Sequence, residues 1–287
     1  MKNIIIPILF LLMWSSGAIF VKIGLEYSSV WSFLALRSFF SFLILSAIIF
    51  IFFRDKYKNI FNLDKKSLLG VLLVGLLLQV LYQIFYFLAI FNHLSPGLLS
   101  IFLGLQPLLT ALLLQQINSL YKWFILFSGF FGLIMAVAGA RDVSNITTAG
   151  VLFSILAMAS ISIGSIFQNN NNNDLLVSAL LHSLLSSVIF ISILPFVDHH
   201  VIWNLKFTFS VLWMTIIVSI SAMLLLFHLL RNNSADKVSV LFFLVPIVTI
   251  FFDYLVFDTK ISWITGISTL IVIISIYFFN KQKSYSK

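Results

Sequence analysis

Leu94–Gln116, LSPGLLSIFLGLQPLLTALLLQQ, recurs 139 residues later as Asn233–Leu255. Ser95 falls on Ser234, Ser100 on Ser239, Leu105 on Leu244, Pro107 on Pro246 and Thr110 on Thr249, five identities in the sixteen positions from Ser95 to Thr110. Each copy is a long apolar run with a proline near its middle and a serine-bearing turn at its start. A fixed internal period that divides a chain in half marks a duplication. Two repeats are therefore expected, residues 1–141 and residues 142–287.

Composition says what surrounds them. Of 287 residues 61% are apolar and 9% charged, and the mean hydropathy is +1.12. Soluble domains average about 45–50% apolar and about 25% charged, so this is a polytopic membrane protein whose first partner is the lipid bilayer. A net charge of +8 would suggest nucleic acid in a soluble chain; here it reflects basic cytoplasmic loops, and no nucleic-acid partner is expected. With no cysteine, a disulfide framework, a thiol nucleophile and a cysteine metal site are excluded. The start, MKNIIIPILFLLMW, lacks a small-x-small cleavage site and stays apolar through Phe20, which reads as a retained first helix.

A membrane span needs about 20 mostly apolar residues. Ten such runs follow, near 4–24, 31–53, 67–90, 94–116 and 121–140 in the first half. In the second they lie near 148–167, 175–195, 208–230, 234–257 and 261–280. Lipid cannot solvate backbone groups, so these runs are helices despite their Phe, Ile and Val. The expected fold is an all-α membrane protein, ten transmembrane helices as two inverted five-helix repeats. Inversion follows from parity, because five spans per half make the second half enter from the opposite face. With both termini placed in the cytoplasm, twelve Lys and Arg fall inside and four outside, as the positive-inside rule requires. Inverted repeats are a recurring plan of secondary transporters, with the site near the midplane between them. The run QNNNNN from Gln168 to Asn173 reads as a tolerated expansion of a solvated loop.

WSSGAIFVK at Trp14–Lys22, ALRSFF at Ala35–Phe40 and FYFLAIFNHLSPGLLSIFLGLQPLLTALL from Phe85, with LFHLLRNNSADKVSVLFFLVPIVTIFFDYLVF from Leu226, give the chain a resemblance over nearly its whole length. It resembles the EamA-like ten-helix group of the drug/metabolite transporter superfamily. That resemblance implies an inner-membrane carrier of amino acids, other small metabolites, nucleotide-linked compounds or drugs. The Gly-Glu pair usual in the group after helices four and nine is replaced by Gln116-Ile117-Asn118 and by Asp258-Thr259.

Ionisable groups inside a span cost roughly 2.5–3.5 kcal/mol on insertion scales, so Arg37 and Asp253 call for an explanation. At about 1.5 Å per residue both fall within about 10 Å of the outer surface. Two explanations stand side by side: an outer-vestibule pair on the substrate pathway that orients a charged substrate or gates the site, or a structural ion pair or an arginine that snorkels to the headgroups. Ser239, Pro246, Thr249 and Asp253 share one helix face whose counterpart is Ser100, Pro107, Thr110 and Leu114. Asp253 thus breaks the repeat symmetry on a cavity-facing stripe.

Span three carries Gln79, Gln83 and Tyr86 on one face, with Tyr82 beside them; they line a substrate pathway or join helices. Pro107 and Pro246 remove a backbone hydrogen bond and free the carbonyls of Leu103 and Phe242, breaking their helices. Gln106 beside Pro107 is a midplane ligand candidate, and Trp14 either stacks on a substrate or packs within the bundle. His182 and His228 are the groups through which proton coupling would run. Asp198, His199 and His200 read as a solvated turn, so no metal is expected, and no nucleophile–base set, Walker loop or dinucleotide fingerprint occurs. Ser128, Gly132, Ala136 and Ala140 give span five a small-residue face for close packing, within the protomer or in a homodimer.

The sequence therefore predicts a carrier, not an enzyme, without cofactor. It moves a small polar or amphipathic metabolite, such as an amino acid or related compound, across the inner membrane by alternating access. The rivals are an uncoupled facilitator, a lipid-handling intramembrane enzyme, which would need an acid–base or metal cluster, and a structural subunit.

Overall fold

A computed structural model describes residues 2–56, 63–114, 120–138, 146–233, 238, 240–258 and 262–281. Ser234, Ser239, Gln116–Asn118, Thr259 and Ala140 lie outside them. In lipid a backbone must satisfy its own polar groups, and the described residues form helices α1 (Lys2–Leu25), α2 (Val30–Phe52), α3 (Lys65–Phe91), α4 (Pro96–Leu103), α5 (Gln106–Leu113), α6 (Leu120–Ala138), α7 (Thr148–Asn169), α8 (Leu175–Ile193), α9 (Leu205–Asn232), α10 (Val245–Phe257) and α11 (Trp263–Lys281). Polar residues at the loop edges fix where several begin. Ser29, Asp64, Ser95, Thr147, Asp174 and Asn204 each accept a first-turn backbone N–H through their side chains, satisfying donors that lipid could not.

Against ten expected spans, seven described helices are long and apolar enough to cross a membrane, α4 and α5 together counting as one of them. Three shorter apolar helices, Trp123–Ala136, Val245–Phe257 and Trp263–Ser275, fall within three of the other expected stretches. The ninth is short because Pro246 lies in the first turn of α10, with only the 3-10 turn Val240–Phe243 before it. The fourth is split for the same reason: Pro107 lies in the first turn of α5, and Gly104 and Leu105 separate it from α4. A Cβ on Gly104 would stand 3.0 Å from Pro246 Cγ, so the two broken spans meet at their breaks.

Two further irregularities come as a pair. Helix α3 widens into a π-helical stretch at Leu76–Leu81, and α9 does so at Trp213–Ala222. These are equivalent places in the two repeats, and such stretches concentrate at functional sites.

Packing follows the duplication. Helix α1 lies on α9 and α10, as α7 lies on α3 and on α4 and α5; α2 pairs with α8, α4 with α10 and α6 with α11. Helices α2 and α8 both sit between α3 and α9, which makes these four the centre of the bundle. The small face of α6 is taken up within the protomer. Ser128 Oγ lies 2.8 Å from Ser275 Oγ, and a Cβ on Gly132 would meet Ile271, Val272 and the Ser268 carbonyl of α11. Large apolar side chains cover the outer surface, Phe50, Phe124, Phe131 and Phe251 among them.

The two ends differ. At the end away from the N-terminus, the α1–α2 loop clasps the α8–α9 loop. Ser28 and Val201 form an antiparallel bridge, Ser29 N donates to His200 O at 3.1 Å and Ile202 N donates to Tyr27 O at 2.7 Å.

Candidate functional site

The centre is organised by Arg37, eight residues beyond the Ser29 cap of α2. Its side chain is buried at 3% exposure. Nε donates to Ser219 Oγ in the π-helical stretch of α9, and Nη1 donates to Gln83 Oε1 just past the π-helical stretch of α3. The guanidinium lies 5.9 Å from the Phe87 ring centre, and Nη2 has no hydrogen-bond partner among the described residues. One residue thus ties both wide turns, and so both repeats, together.

This corrects the pairing of Arg37 with Asp253. Among the described residues Arg37 forms no ion pair, and it is buried and bonded to Gln83 and Ser219 rather than reaching the headgroups. Asp253 meets Lys22 instead, with Oδ1 3.8 Å from Lys22 Nζ, and Lys22 Nζ also sits 3.8 Å over the Phe257 ring. That contact joins α1 to α10 toward the clasped end.

Two small cavities flank the guanidinium, each of about 10 Å³, room for about one water. One is apolar and aromatic, walled by Trp14, Tyr82 and Tyr86 and by Met214, Val218 and Met223. Trp14 and Tyr82 stack at 6.1 Å and 17°, and Tyr82 and Tyr86 lie 5.5 Å apart. The other is polar, lined by Ser38, Ser41, Gln79, Ser183, Ser186 and Ser219. Arg37 and Gln83 belong to both.

Of the residues singled out in sequence, Trp14, Tyr82, Gln83 and Tyr86 come together in the aromatic chamber and Gln79 in the polar one. Gln106 is buried at the start of α5 with Oε1 unpartnered, and it lines neither chamber. His182 is fully buried against Phe227, with its ring where a Cβ on Gly75 would stand. His200 Nδ1 lies 3.4 Å from Asp198 Oδ2 on the surface, and no group of three metal-ligating side chains occurs among the described residues.

The serines were missed, although the sequence carries their signal. LRSFFS at Leu36–Ser41 and LHSLLS at Leu181–Ser186 are equivalent turns of α2 and α8. Ser38 matches Ser183 and Ser41 matches Ser186, at a period of 145 where the proline segments repeat at 139. The position before the first serine is Arg37 in one repeat and His182 in the other. Ser219, Met214 and Met223 carry no comparable pattern, since their inward position depends on the wide turn of α9.

The end bearing the N-terminus is open. A vestibule of about 400 Å³ lies between α1, α8 and α9, lined by Ile6, Lys56, Asp174, Leu225, His228 and Arg231. Lys56 Nζ bonds Asp174 Oδ2 at 2.7 Å. Partial burial pushes the Asp174 carboxyl up, but the Lys56 ammonium and the Val177 and Leu176 amides outweigh it and hold the group below the usual carboxylate range. Between vestibule and centre stands Phe10, one helical turn from Ile6 and one from Trp14. Its ring lies 5.3 Å from Trp14 and 5.4 Å from Phe242.

A duplicated helical bundle in a membrane, with its polar groups gathered where the repeats meet, has the build of a membrane transporter. The chain belongs to the EamA-like transporter family, which matches it twice, over residues 1–140 and 148–281. Among known structures 27 chains match. One crystal structure superposes with a TM-score of 0.69 at 15% identity over 98% of this chain and 98% of that one, a likeness of fold alone. No curated protein matches the chain.

Proposed function

We propose that this protein is a secondary transporter of the inner membrane that carries a small polar or amphipathic metabolite by alternating access. The observation that carries the reading is the buried Arg37, held between the π-helical stretches of the two repeats and flanked by an aromatic and a polar chamber. A vestibule open at one end and a loop clasp at the other supply what alternation needs, one accessible face and one shut. Chambers that each hold about one water suit a state in which the repeats have closed around Arg37. The basic asymmetry of the loops supports placing both termini, and the vestibule, on the cytoplasmic side.

The experiment is uptake of labelled metabolites into proteoliposomes with and without a pH gradient. A carrier accumulates one class of compound, and Arg37→Gln abolishes that uptake while the protein still inserts. A gradient-insensitive flux that only equilibrates would assign an uncoupled facilitator. Arg37→Gln transporting at the wild-type rate would remove the centre from the mechanism.

A further inference from the structure

Resting on that reading, we infer that the cargo is an organic anion, a monocarboxylate with an apolar body, whose carboxylate binds Arg37 between the two chambers. The first ground is charge. Arg37 and Asp253 are the buried charged side chains among the described residues, and Asp253 meets Lys22 elsewhere. Arg37 therefore faces only neutral oxygens, those of Gln83 and Ser219. A buried cation without a counter-charge is costly, and an anion is the ligand that removes the cost.

The second ground is geometry. Nη2 is buried and without a partner, and a guanidinium fork matches a carboxylate with two parallel N–H···O bonds. The third is the division of the surroundings. Trp14, Tyr82, Met214 and Met223 offer an apolar, polarisable wall to a hydrocarbon or ring, while the serine chamber on the other side of Arg37 suits the carboxylate oxygens. A cation here would face the charge of Arg37, and among the described residues no carboxylate lines either chamber to hold the ammonium of a zwitterion.

Anion binding also competes with the bridge that joins the two repeats. Arg37 bridges Gln83 of one repeat to Ser219 of the other, and a carboxylate competes with both oxygens for the same N–H groups. A ligand that satisfies Arg37 better than the closed bridge does shifts the population toward the open form. Serines at equivalent places in the two repeats keep the lining symmetric; Arg37 opposite His182 sets the polarity of the cargo.

The test uses the purified protein and five small probes: benzoate, its neutral amide benzamide, benzylamine, phenylalanine, and octanoate as a non-aromatic carboxylate. Benzoate or octanoate raises the melting temperature, while benzamide, benzylamine and phenylalanine do not. Hydrogen bonds to charged groups are worth about 1.5–3 kcal/mol, so Arg37→Gln weakens carboxylate binding about 10- to 100-fold, and Arg37→Lys, which keeps charge but loses the fork, falls between. If Arg37→Gln does not fold, Arg37→Lys decides, and undiminished carboxylate affinity in that variant overturns the inference. So does stabilisation by benzamide, benzylamine or phenylalanine that equals that by the carboxylates, or none by either carboxylate. Counterflow of the same probes in proteoliposomes separates the two readings. Transport of phenylalanine or benzylamine without benzoate or octanoate sinks the anion and keeps the carrier. Arg37-dependent binding with no transport sinks the carrier and keeps the anion site.

Discussion

Gly104, between α4 and α5, stands against Pro246 of α10, where a Cβ would come within 3.0 Å of the proline ring and 3.1 Å of the Ile101 carbonyl. The two proline-interrupted spans therefore cross at their interruptions. Bilayer helices gain little from the hydrophobic effect against one another and rely on close approach. Gly104→Val fills that contact and should destabilise by about 1–3 kcal/mol, read as a lower melting temperature in detergent. Gly70 and Gly266 have open space around them, and Ala is favoured over Gly in a helix by about 1 kcal/mol. Gly70→Ala and Gly266→Ala should be neutral or stabilising, and an equal loss in these controls would undo the packing explanation.

Phe10 stands between the vestibule and Trp14. The chain has no cysteine, so a single Met214→Cys reports access to the aromatic chamber. A polar thiol reagent should label it slowly, and severalfold faster once Phe10→Ala is added. Equal labelling rates would mean that another route, not the Phe10 ring, controls entry from this end.

Asp174 gives the pH dependence that can be read outside the spans. Its carboxyl is held below the usual range, so its contribution is complete above the unfolded value near pH 4 and is lost as pH falls through the lower folded value. Asp174→Asn keeps an oxygen for the α8 cap but loses the charge facing Lys56, and Asp174→Ala loses both, the cap being worth about 1 kcal/mol. Melting temperatures should rank wild type, Asn, Ala at pH 7, with wild type converging on Asn as the medium is acidified well below pH 4. A constant gap down to pH 3 would contradict the sign.

Orientation has a direct test. Reporter fusions after Arg54, His93 and Asn172 should score cytoplasmic, external and cytoplasmic. A cytoplasmic signal at His93 would invert or break the map drawn from the basic loops.

Much of this was legible because membrane sequences leave few choices: apolar length gives the helices, and Pro107 and Pro246 give the breaks. The inward face of Gln79, Gln83 and Tyr86 follows from helical spacing and the cost of polar groups in lipid. What Arg37 touches was not legible. Ser219, which meets it, lies within the stretch where α9 widens at Trp213–Ala222, and no local residue preference encodes that widening. The RSFFS and HSLLS turns were hidden by their different period, 145 against 139, which arises from unequal loop lengths between the spans. Sequence logic placed the break in symmetry at Asp253 opposite Leu114. The structure adds a second break at the very centre, Arg37 opposite His182.

Asp253 then needs a role apart from Arg37. Its side chain is 6% exposed, whereas that of Lys22 is 32% exposed, and their contact joins repeat one to repeat two near the clasped end. A pair half in reach of water, in which one member is desolvated, is asymmetric in its response. Lys22→Gln leaves the Asp253 carboxylate buried without the ammonium, while Asp253→Asn leaves a lysine that can turn outward and keep its place over Phe257. Lys22→Gln should therefore cost more, about 1–3 kcal/mol, and Asp253→Asn less, about 1 kcal/mol. The double variant should cost less than the sum, because both single changes remove the same contact. If the contact also holds the far end shut, each variant should bind a carboxylate at Arg37 with unchanged selectivity but alter the transport rate, as the clasped end opens at a lower cost. Additive melting temperatures together with wild-type transport rates in all three variants would show that Lys22 and Asp253 neither couple nor take part in the cycle.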